Sequence, residues 1–428
     1  MKTVNIGLIG LGTVGGGVVD ILQKHAGDFQ RHYGLDLRLA RAADRNTARF
    51  GQLGLDPAIC TDDAFAVIAD PEIDIIIELI GGTGVAKDVV AAALEAGKRV
   101  VTANKALMAT SGHELLKTAE DHGLELRFEA SVGGGIPIIE PLKHALTANA
   151  ITDVLGIVNG TTNYMLTHMT GRGLSYDEAL AEAQSLGYAE ADPSADVDGL
   201  DAAAKIAILA SIAFHTTVTL DQVHVEGIRD LSATDVAYAA QMGYAVKLLA
   251  LARLTSAGID IRVHPTMIPS THQLASVSGV YNAIYAVGDA VGDVMFFGEG
   301  AGAGAAASAV VGDVIEAARA LAAGNTTVGC TCTDEVAIRP FEDLETCYYL
   351  RMIVDDKSGV LAQMTAVFAD ADVSLDSIIQ QGVAHDGTAE IIYVTHRARE
   401  EAVRRILSRL EELDVVKNIA ALIRVEAL

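Results

Sequence analysis

Acidic side chains and one lysine crowd a short segment of this chain, residues 190–205. The segment reads Glu-Ala-Asp-Pro-Ser-Ala-Asp-Val-Asp-Gly-Leu-Asp-Ala-Ala-Ala-Lys and holds five carboxylates. Asp198, Asp201 and Lys205 are spaced i, i+3 and i+7, which places them on one face of a helix. We predict that this helix begins near Asp198 as its N-cap. Such a face could hold an amine ready for proton transfer. The alternative is a solvated helix start, whose Asp–Lys pair contributes a few tenths of a kcal/mol.

A glycine-rich turn lies close to the amino terminus. The apolar run 4–9 predicts a strand, residues 10–15 read Gly-Leu-Gly-Thr-Val-Gly, and residues 14–30 follow a helical pattern. This order is the context of a dinucleotide-binding turn. Gly10 would permit the tight turn, Gly12 would let the backbone approach a pyrophosphate, and Gly15 would let the helix pack closely. A plain strand–turn–helix is the alternative.

Further strands and helices alternate after this turn. The predicted strands 37–43, 74–80, 99–102 and 124–129, with a helix at 85–96, indicate a doubly wound parallel sheet. The strand 37–43 ends at Asp44 and Arg45, and an acid there binds ribose hydroxyls whereas an arginine accepts a 2′-phosphate. Both types are present, so NAD and NADP both remain open. Lys105 follows the strand 99–102 at the edge where ligands bind, although it could be an exposed lysine at a helix start.

Three loops combine polar groups with small residues. Residues 129–137 read Glu-Ala-Ser-Val-Gly-Gly-Gly-Ile-Pro. They could hold a hard cation through oxygen atoms, but the residues alone favour an interdomain hinge. Residues 159–164, Asn-Gly-Thr-Thr-Asn-Tyr, follow a predicted strand at 151–158. They could bind a polar substrate or cap a helix that begins near Asn163. Residues 298–308 are rich in Gly and Ala and predict a close-approach loop before a helix at 308–321.

The last 80 or so residues predict a separate unit, joined to the body by residues 324–340. Predicted elements are strand 347–354, helix 360–370, strands 373–380 and 389–395, helix 399–413 and strand 420–426. This β-α-β-β-α-β order is ferredoxin-like.

Length, charge and cysteine usage limit the possible functions. A chain of 428 residues predicts two or three domains, and its net charge of −25 disfavours nucleic acid and anionic membranes as partners. It has no apolar run of membrane-spanning length and no signal-peptide pattern at its start. The spacing of Cys330 and Cys332 suits neither a zinc knuckle nor a redox pair. We therefore expect these two residues, Cys60 and Cys347 to be buried or free thiols in a reducing cytoplasm.

Along essentially its whole length the chain resembles homoserine dehydrogenase with an appended ACT domain. The most specific segments are 101–106 (Val-Thr-Ala-Asn-Lys-Ala), 156–161 (Gly-Ile-Val-Asn-Gly-Thr) and 190–205. The resemblance implies an α/β fold: a Rossmann-type doubly wound parallel sheet over 1–135 with a return segment at about 300–330. It also implies an α+β catalytic and dimerisation domain over 136–299, a linker over 331–346 and a ferredoxin-like ACT regulatory domain over 347–428.

The resemblance also implies an activity, the NAD(P)-dependent interconversion of L-aspartate 4-semialdehyde and L-homoserine, in the biosynthesis of threonine, methionine and isoleucine. Lys205 is then the acid/base, Asp201 orients it, and Lys105 is a second lysine at the hydride-transfer site. Glu190 and Asp196 match substrate-binding acids, and the loop residues Asn159, Gly160 and Thr161 are candidates for the substrate carboxylate. A monovalent cation, expected to be sodium, matches Glu129, Val132, Gly134 and Ile136. The predicted cofactor-binding residues are Gly10, Leu11, Gly12, Thr13, Val14, Gly15, Asp44, Arg45, Thr102, Lys105 and Gly302.

The chain departs from the family pattern near Gly302 and in the ACT segment. Glu299, Ala303, Ala305 and Ala306 stand where Pro, Gly, Pro and Thr are usual, and Asp372 stands where Asn is common. We expect the chain to form a homodimer or a homotetramer. We also expect an amino-acid effector, threonine, to bind at the ACT domain.

Parts of the sequence are also compatible with two other functions. Lys105 together with the acidic segment argues against another Rossmann amino-acid dehydrogenase with an ACT domain. A hydroxy-acid dehydrogenase would typically rely on a histidine as its acid/base. The complete set of acid/base residues argues against a non-enzymatic amino-acid sensor.

Overall fold

The computed structural model describes residues 1–326, 329–383 and 387–426. Among the helices in these ranges, none combines the length and apolar character needed to cross a bilayer. The helices are α1 Thr13–Lys24, α2 Ala26–Asp28, α3 Ala48–Gln52, α4 Ala64–Ile68, α5 Gly84–Glu95, α6 Lys105–Asp121, α7 Gly160–Arg172, α8 Tyr176–Ser185, α9 Ser194–Val197, α10 Leu200–Ala213, α11 Ala233–Gln241, α12 Ala303–Ala323, α13 Val360–Asp370 and α14 Glu400–Glu411. The strands are β1 Lys2–Ile9, β2 Leu35–Ala43, β3 Cys60–Thr61, β4 Ile75–Glu78, β5 Arg99–Thr102, β6 Leu126–Arg127, β7 Ile151–Ile157, β8 His224–Val225, β9 Tyr244–Thr255, β10 Gly258–Pro269, β11 Tyr281–Gly288, β12 Gly292–Glu299, β13 Glu345–Asp355, β14 Leu375–Val383, β15 Thr388–Thr395, β16 Ala398–Arg399 and β17 Val416–Val425.

Within the described residues the chain divides into two compact units. The first contains Met1–Gly160, Ala203–Val223 and Tyr281–Val336. The second contains Thr161–Ala202, His224–Val280 and the residues from Ala337 onward.

A six-stranded sheet in the order β3-β2-β1-β4-β5-β6 forms the centre of the first unit, and its strands are all parallel. This is the Rossmann order, so the predicted doubly wound parallel sheet is confirmed. The strand order reverses between β1 and β4, and at such a point a crevice opens at the carboxyl ends of the strands. In the same unit β11 pairs in antiparallel orientation with both β7 and β12.

Helix α12 belongs to the core of the first unit although it lies far along the chain. Val310 and Val314 of α12 are buried in the same cluster as Val18 of α1. A Cβ atom on Gly17 would lie 2.8 Å from the carbonyl oxygen of Ala303 and 2.9 Å from the Cβ of Ala307. Only glycine permits so close an approach of the two helices. The helix begins at Ala303, five residues before its predicted start at 308.

The sheet of the second unit runs in the order β9-β10-β17-β13-β15-β14. The elements β13-α13-β14-β15-α14-β17 follow the predicted ferredoxin-like order, which is therefore confirmed. Helices α13 and α14 bury their apolar residues against this sheet, with Phe368, Tyr393 and Ile406 among the buried residues. Strand β17 also pairs in parallel with β10, through Thr266–Arg424 and Met267–Val425. The ferredoxin-like segment is thus continuous with the sheet of residues 244–269.

Some element bounds differ from those predicted. The last strand of the parallel sheet covers only Leu126–Arg127, because a 3₁₀ turn begins at Glu129. Helix α1 ends at Lys24, and residues 26–33 continue as short helical turns. Helix α7 begins at Gly160, three residues before the predicted Asn163.

Candidate active site

The three glycines of the turn after β1 differ in the space around them. Gly10 has a φ of +100°, and a Cβ there would lie 2.5 Å from the carbonyl oxygen of Leu79. A Cβ on Gly15 would lie 2.1 Å from the carbonyl oxygen of Gly10. Around a Cβ on Gly12, by contrast, no atom of the described residues lies within 4 Å, apart from those of its chain neighbours. Gly10 and Gly15 are therefore required by packing, whereas Gly12 keeps open the space before α1, where helix N–H groups favour a phosphate.

A cavity of about 600 Å³ lies at the carboxyl ends of β1, β2 and β4. Its volume is within the usual range for small-molecule sites. It brings together Gly10, Gly12, Asp44 and Arg45 with residues 62–65 and 79–85. The predicted cofactor residues that are not among its lining residues are Leu11, Thr13, Val14, Gly15, Thr102, Lys105 and Gly302.

Asp44 positions the glycine turn as well as lining the cavity. Its Oδ2 accepts a hydrogen bond from the amide of Leu11 at 2.6 Å, and its Oδ1 accepts one from the amide of Asn46 at 2.7 Å. Arg49 adds a hydrogen bond from Nε to the carbonyl of Leu11 at 2.7 Å. Arg45 is exposed at the cavity, so its guanidinium is available to a ligand phosphate.

A buried network at the ends of β4 and β5 fixes the start of α6, where Lys105 lies. The Thr102 hydroxyl donates to Glu78 Oε2 at 2.7 Å, and Glu78 Oε1 accepts the amide of Ile80 at 2.6 Å. Asn104 caps α6 by accepting the amide of Leu107 at 3.1 Å, and its Nδ2 donates to the carbonyl of residue 82 at 2.6 Å. Sequence reasoning missed Glu78 and Asn104. A carboxylate inside an apolar strand was the signal for Glu78.

The Lys205 ammonium is buried next to the end of β7. Its Nζ donates a hydrogen bond to the carbonyl oxygen of Val158 at 2.6 Å, and its side chain is only 7% exposed. Val158 directly precedes Asn159, which is also buried. The structure therefore brings Lys205 to the strand end from which the predicted substrate loop starts. Asp201, likewise buried, lies one turn earlier on α10.

The prediction that Asp198 caps this helix is wrong. Helix α10 begins at Leu200, and Gly199 before it has a left-handed φ of +83°. Asp198 instead ends the short helix α9, and its carboxylate forms an ion pair with Arg229. Asp201 nevertheless lies in the first turn of α10, as predicted.

The acidic segment and the polar loop approach each other within the second unit. The Thr161 hydroxyl donates to the carbonyl of Tyr188 at 2.6 Å, two residues before Glu190. The Glu190 side chain is exposed, and its carbonyl accepts a hydrogen bond from Gln184 Nε2 at 3.0 Å. Asp196 is half-buried on α9. The carboxylate of Glu190 is thus exposed to solvent and accessible to a charged ligand.

Lys247 on β9 is a buried lysine that sequence reasoning missed. Its Nζ donates to Asn163 Oδ1 at 3.1 Å and to the carbonyl oxygen of Val277 at 2.5 Å. Burial lowers the pKa of Lys247 to about 8. It therefore positions Asn163 in the first turn of α7, next to the polar loop. The available signal was a lysine in the otherwise apolar strand Val246–Leu251.

The predicted cation loop is built around the carboxylate of Glu129. Glu129 Oε1 accepts the amides of residues 138 and 139 at 2.5 and 2.8 Å, and Oε2 accepts that of residue 140 at 2.7 Å. Burial raises the pKa of Glu129, and these hydrogen bonds oppose the rise. Gly134 has a φ of +55°, whereas Val132 and Ile136 are buried. Main-chain oxygens of this loop are thus the groups suited to a hard cation.

Gly302 lies next to this loop at the start of α12. It has a φ of +127° and is the N-cap of that helix. A Cβ on Gly134 would lie 2.6 Å from the carbonyl oxygen of Gly300, so the two glycine-rich loops are in contact.

Comparison with known proteins gives three family matches. The profile described as homoserine dehydrogenase matches residues 137–315, and the profile described as homoserine dehydrogenase, NAD binding domain, matches residues 10–129. The ACT domain profile matches residues 348–415. Together these matches cover most of the chain.

Individual relatives agree with the profiles. The chain is 46% identical to a homoserine dehydrogenase from Synechocystis sp. over 99% of both chains. A solved homoserine dehydrogenase from Thiobacillus denitrificans superposes with a TM-score of 0.95 at 42% identity, covering 100% of this chain and 99% of that one. A hyperthermophilic archaeal homoserine dehydrogenase in complex with NADPH superposes with a TM-score of 0.64 at 28% identity, covering 74% of this chain and 98% of that one.

Proposed function

The chain belongs to the homoserine dehydrogenase family, and on that premise we propose that it interconverts L-aspartate 4-semialdehyde and L-homoserine with NAD or NADP. The observation that carries this proposal is the buried Lys205 ammonium, held by the Val158 carbonyl at the start of the polar loop. An ammonium fixed in this way can stabilise a developing alkoxide and donate a proton to it.

The cavity at the glycine turn fits a dinucleotide. The open space over Gly12 suits a pyrophosphate, and Asp44 and Arg45 line the region where a ribose or its phosphate binds. Gly10, Gly15 and the residues between them shape the turn, and we assign Thr102, Lys105 and Gly302 to the same site. When bound, the nicotinamide supplies or accepts the hydride.

Three residues are proposed to act on the reacting oxygen and its proton. Lys205 donates a proton to the oxygen during reduction of the aldehyde and removes it during oxidation of the alcohol. Asp201, one turn away, orients Lys205. Lys105, at the start of α6, adds a second positive charge that favours the developing alkoxide.

The substrate is an amino acid, so both of its charged ends need partners. We assign its ammonium group to the carboxylates of Glu190 and Asp196. We assign its carboxylate to the amides of Asn159, Gly160 and Thr161. The burial of Asn159 and Thr161 supports this role, because a buried amide hydrogen bond is little weakened by water.

The test follows the absorbance of the reduced nicotinamide with aspartate semialdehyde as substrate, in parallel with NADH and NADPH. We expect turnover with one or both coenzymes. Lys205→Ala should lower kcat by about a hundredfold or more, because the proton donor is lost. Lys105→Ala should also lower kcat. Lys117→Ala, which removes an exposed lysine from the same helix as Lys105, is the matched control and should keep wild-type turnover.

Two results would overturn the proposal. One is a folded Lys205→Ala variant with turnover close to that of the wild type. The other is a folded wild-type protein that binds the coenzyme but does not turn over aspartate semialdehyde, which would favour an amino-acid sensor.

A monovalent cation, with sodium as the first choice, is proposed at Glu129, Val132, Gly134 and Ile136. The left-handed turn at Gly134 and the anchored Glu129 carboxylate support a loop whose carbonyl oxygens form the site. Replacing sodium in the buffer by a bulky organic cation should lower the melting temperature, and added sodium should restore it. A melting temperature independent of the cation would exclude the site.

Feedback inhibition by threonine is proposed for the ACT segment. Asp372 has a left-handed φ of +56°, a conformation in which Asn and Asp are favoured, so it preserves the turn that an Asn would form. Threonine should inhibit the full-length enzyme, and serine at the same concentration should not. Truncation is a poor test here, because removing β17 would also expose β10.

We also propose that the protein forms a homodimer or a homotetramer and that it is located in the cytoplasm. The ferredoxin-like sheet ends at β14, and an unpaired strand edge is a common site of pairing with another copy. Light scattering should therefore give a mass of two or four chains, and a single-chain mass would contradict the assembly. The four free cysteines support a reducing compartment.

A further inference from the structure

Three metal-ligating side chains meet in the first unit, apart from the residues assigned above. His113 lies on α6, and Cys330 and Cys332 lie in the segment that follows α12. One ligand atom of each lies within 4.8 Å of those of the other two. The Nδ1 of His113 is 3.9 Å from the Sγ of Cys330. The spacing of the two cysteines alone predicts no metal, and the third ligand comes from a distant part of the chain.

The surrounding contacts hold these side chains in place. The amide of Cys332 lies 3.4 Å from Cys330 Sγ, which keeps the two cysteines on one side of a tight turn. Cys332 Sγ is 3.5 Å from the carbonyl oxygen of Ser211, and His113 Nδ1 is 3.2 Å from the Thr217 hydroxyl. In the metal-free protein the cluster is therefore fixed on three sides, by α6, by the residues at the end of α10 and by its own turn. The thiol of Cys332 gives up its hydrogen bond to Ser211 when it binds zinc as a thiolate.

The segment that carries the cysteines is itself anchored. The amide of Asp334 donates to the carbonyl of His215 at 2.8 Å, and the amide of Val336 lies 3.3 Å from the Thr216 hydroxyl. These contacts limit how far Cys330 and Cys332 can move away from His113. A preformed arrangement of this kind lowers the ordering cost of binding an ion.

We propose that His113, Cys330 and Cys332 bind one Zn²⁺ ion, with a solvent molecule as the fourth ligand. A tetrahedral zinc ion bound by two thiolates and an imidazole places its ligand atoms about 3.5–3.8 Å apart, so the observed cluster needs to contract by roughly 1 Å. Thiolate and imidazole ligands select zinc over magnesium, calcium or sodium.

An adjoining cavity provides room for the fourth ligand. It has a volume of about 240 Å³, and its lining includes His113, Cys332, Ser211 and Thr217. An ion at this place would join α6 to the segment around residue 332. It would also present an exchangeable coordination position to the cavity, as zinc sites with three protein ligands do.

Zinc binding by the full-length protein tests the proposal. The protein is reduced, freed of metal by dialysis against a chelator, and titrated with Zn²⁺ alone under argon against a chromogenic chelator. We expect one zinc ion per chain and a rise in melting temperature on addition of zinc. Cobalt should give a thiolate charge-transfer band in the same site.

Variants of the three ligands decide the assignment. Cys330→Ser, Cys332→Ser and His113→Gln should each weaken zinc binding at least roughly tenfold and remove the zinc-dependent rise in melting temperature. The matched controls are Cys347→Ser, which replaces a free thiol outside the cluster, and His122→Gln, which replaces an exposed histidine just after the end of α6. Both should bind zinc as the wild type does. His113→Gln keeps both thiols and is the decisive variant if a serine variant does not fold.

Three outcomes would overturn the proposal. The first is a reduced wild type that binds no zinc, and the second is equal zinc binding by the ligand variants and the controls. The third outcome is that Cys330 and Cys332 form a disulfide in air and that the protein still takes up no zinc after this disulfide has been reduced.

Discussion

Arg424 near the end of β17 binds both carboxylate oxygens of Glu226, which follows β8, at 2.6 and 3.0 Å. The same guanidinium donates to both oxygens of the buried Glu400, at 3.0 and 2.7 Å. The centroid of the Phe341 ring lies 4.8 Å from the central carbon of the Arg424 guanidinium. This cluster stands beside the β10–β17 pairing, so it joins the ferredoxin-like segment to the strands of residues 224–269.

Removing Arg424 should strongly destabilise the second unit. Arg424→Met removes the buried guanidinium that pairs with the fully buried Glu400, and breaking a buried ion pair costs about 3–5 kcal/mol. Urea unfolding followed by circular dichroism should show this loss. Arg409→Met is the control, because Arg409 pairs with Asp370 on the exposed surface and should cost less than about 1 kcal/mol. Equal losses in the two variants would show that burial of the cluster contributes nothing.

Substitutions at Gly12 and Gly10 should have different effects, one on coenzyme binding and the other on stability. Gly12→Ala adds a methyl group that meets no side chain or backbone of the described residues within 4 Å beyond its chain neighbours, so the melting temperature should stay close to that of the wild type. The methyl group occupies the space of the pyrophosphate, and the Kd for the coenzyme should rise roughly tenfold or more. Gly10→Ala meets the Leu79 carbonyl and should lower the melting temperature itself. Fluorescence titration with NADH and NADPH, together with calorimetry, would measure both effects. Unchanged affinity in Gly12→Ala would place the pyrophosphate elsewhere.

Arg45 should determine how well the 2′-phosphate of NADPH is bound. Its exposed guanidinium lines the cavity, while the Asp44 carboxylate is held by two amides. Arg45→Ala should raise the Kd for NADPH roughly tenfold and change that for NADH little. Arg319→Ala, an exposed arginine outside the cavity lining, should change neither. An equal loss of affinity for both coenzymes would assign Arg45 to a group that they share.

Lys247 should make the stability of the protein depend on alkaline pH. Its pKa is about 8 in the folded protein, whereas a lysine of an unfolded chain titrates near 10.4. Between these values the unfolded chain binds more protons, so the free energy of unfolding should rise as the pH increases from about 8 to about 10. The contribution of this single group is about 3 kcal/mol.

The slope of stability against pH is the measurement that isolates this effect. Lys247→Met loses the hydrogen bonds to Asn163 and Val277 at every pH, but it should flatten the slope. Lys117→Met, which changes a lysine exposed in the folded protein, should keep the wild-type slope. Parallel curves for Lys247→Met and the wild type would contradict the prediction.

Local patterns were sufficient to predict most of the fold. Strands β1, β4 and β5 of the parallel sheet are short apolar runs followed by a turn and a helix, so their type and direction can be predicted together. The requirement for glycine at position 15 follows from local spacing, because its close contact is the Gly10 carbonyl of the same turn, whereas the close contact of Gly10 is with Leu79 at the end of β4. The ferredoxin-like order is likewise visible in the alternating patterns after residue 345.

Features that depend on distant partners could not be predicted in this way. The predicted start of α10 is wrong because Asp198 is a favourable N-cap type, but the Asp198 carboxylate pairs instead with Arg229, which is distant in sequence. The pairing of β10 with β17 consists of two residue pairs between strands that are far apart in sequence. The residue pattern of one strand does not indicate which other strand it pairs with. Lys247 shows the same limit, since its role depends on Asn163 from a different helix.

The contact between α1 and α12 has a consequence for biosynthesis. The nascent chain presents β1 and α1 first, but their core lacks Val310 and Val314 until the ribosome has passed that point. At elongation rates of about 5–20 residues per second this delay is on the order of tens of seconds. Throughout that time the uncovered apolar surface is open to chaperones and to misassociation with other nascent chains. The nucleotide-binding half of the molecule, although encoded first, therefore matures only after most of the polypeptide has been made.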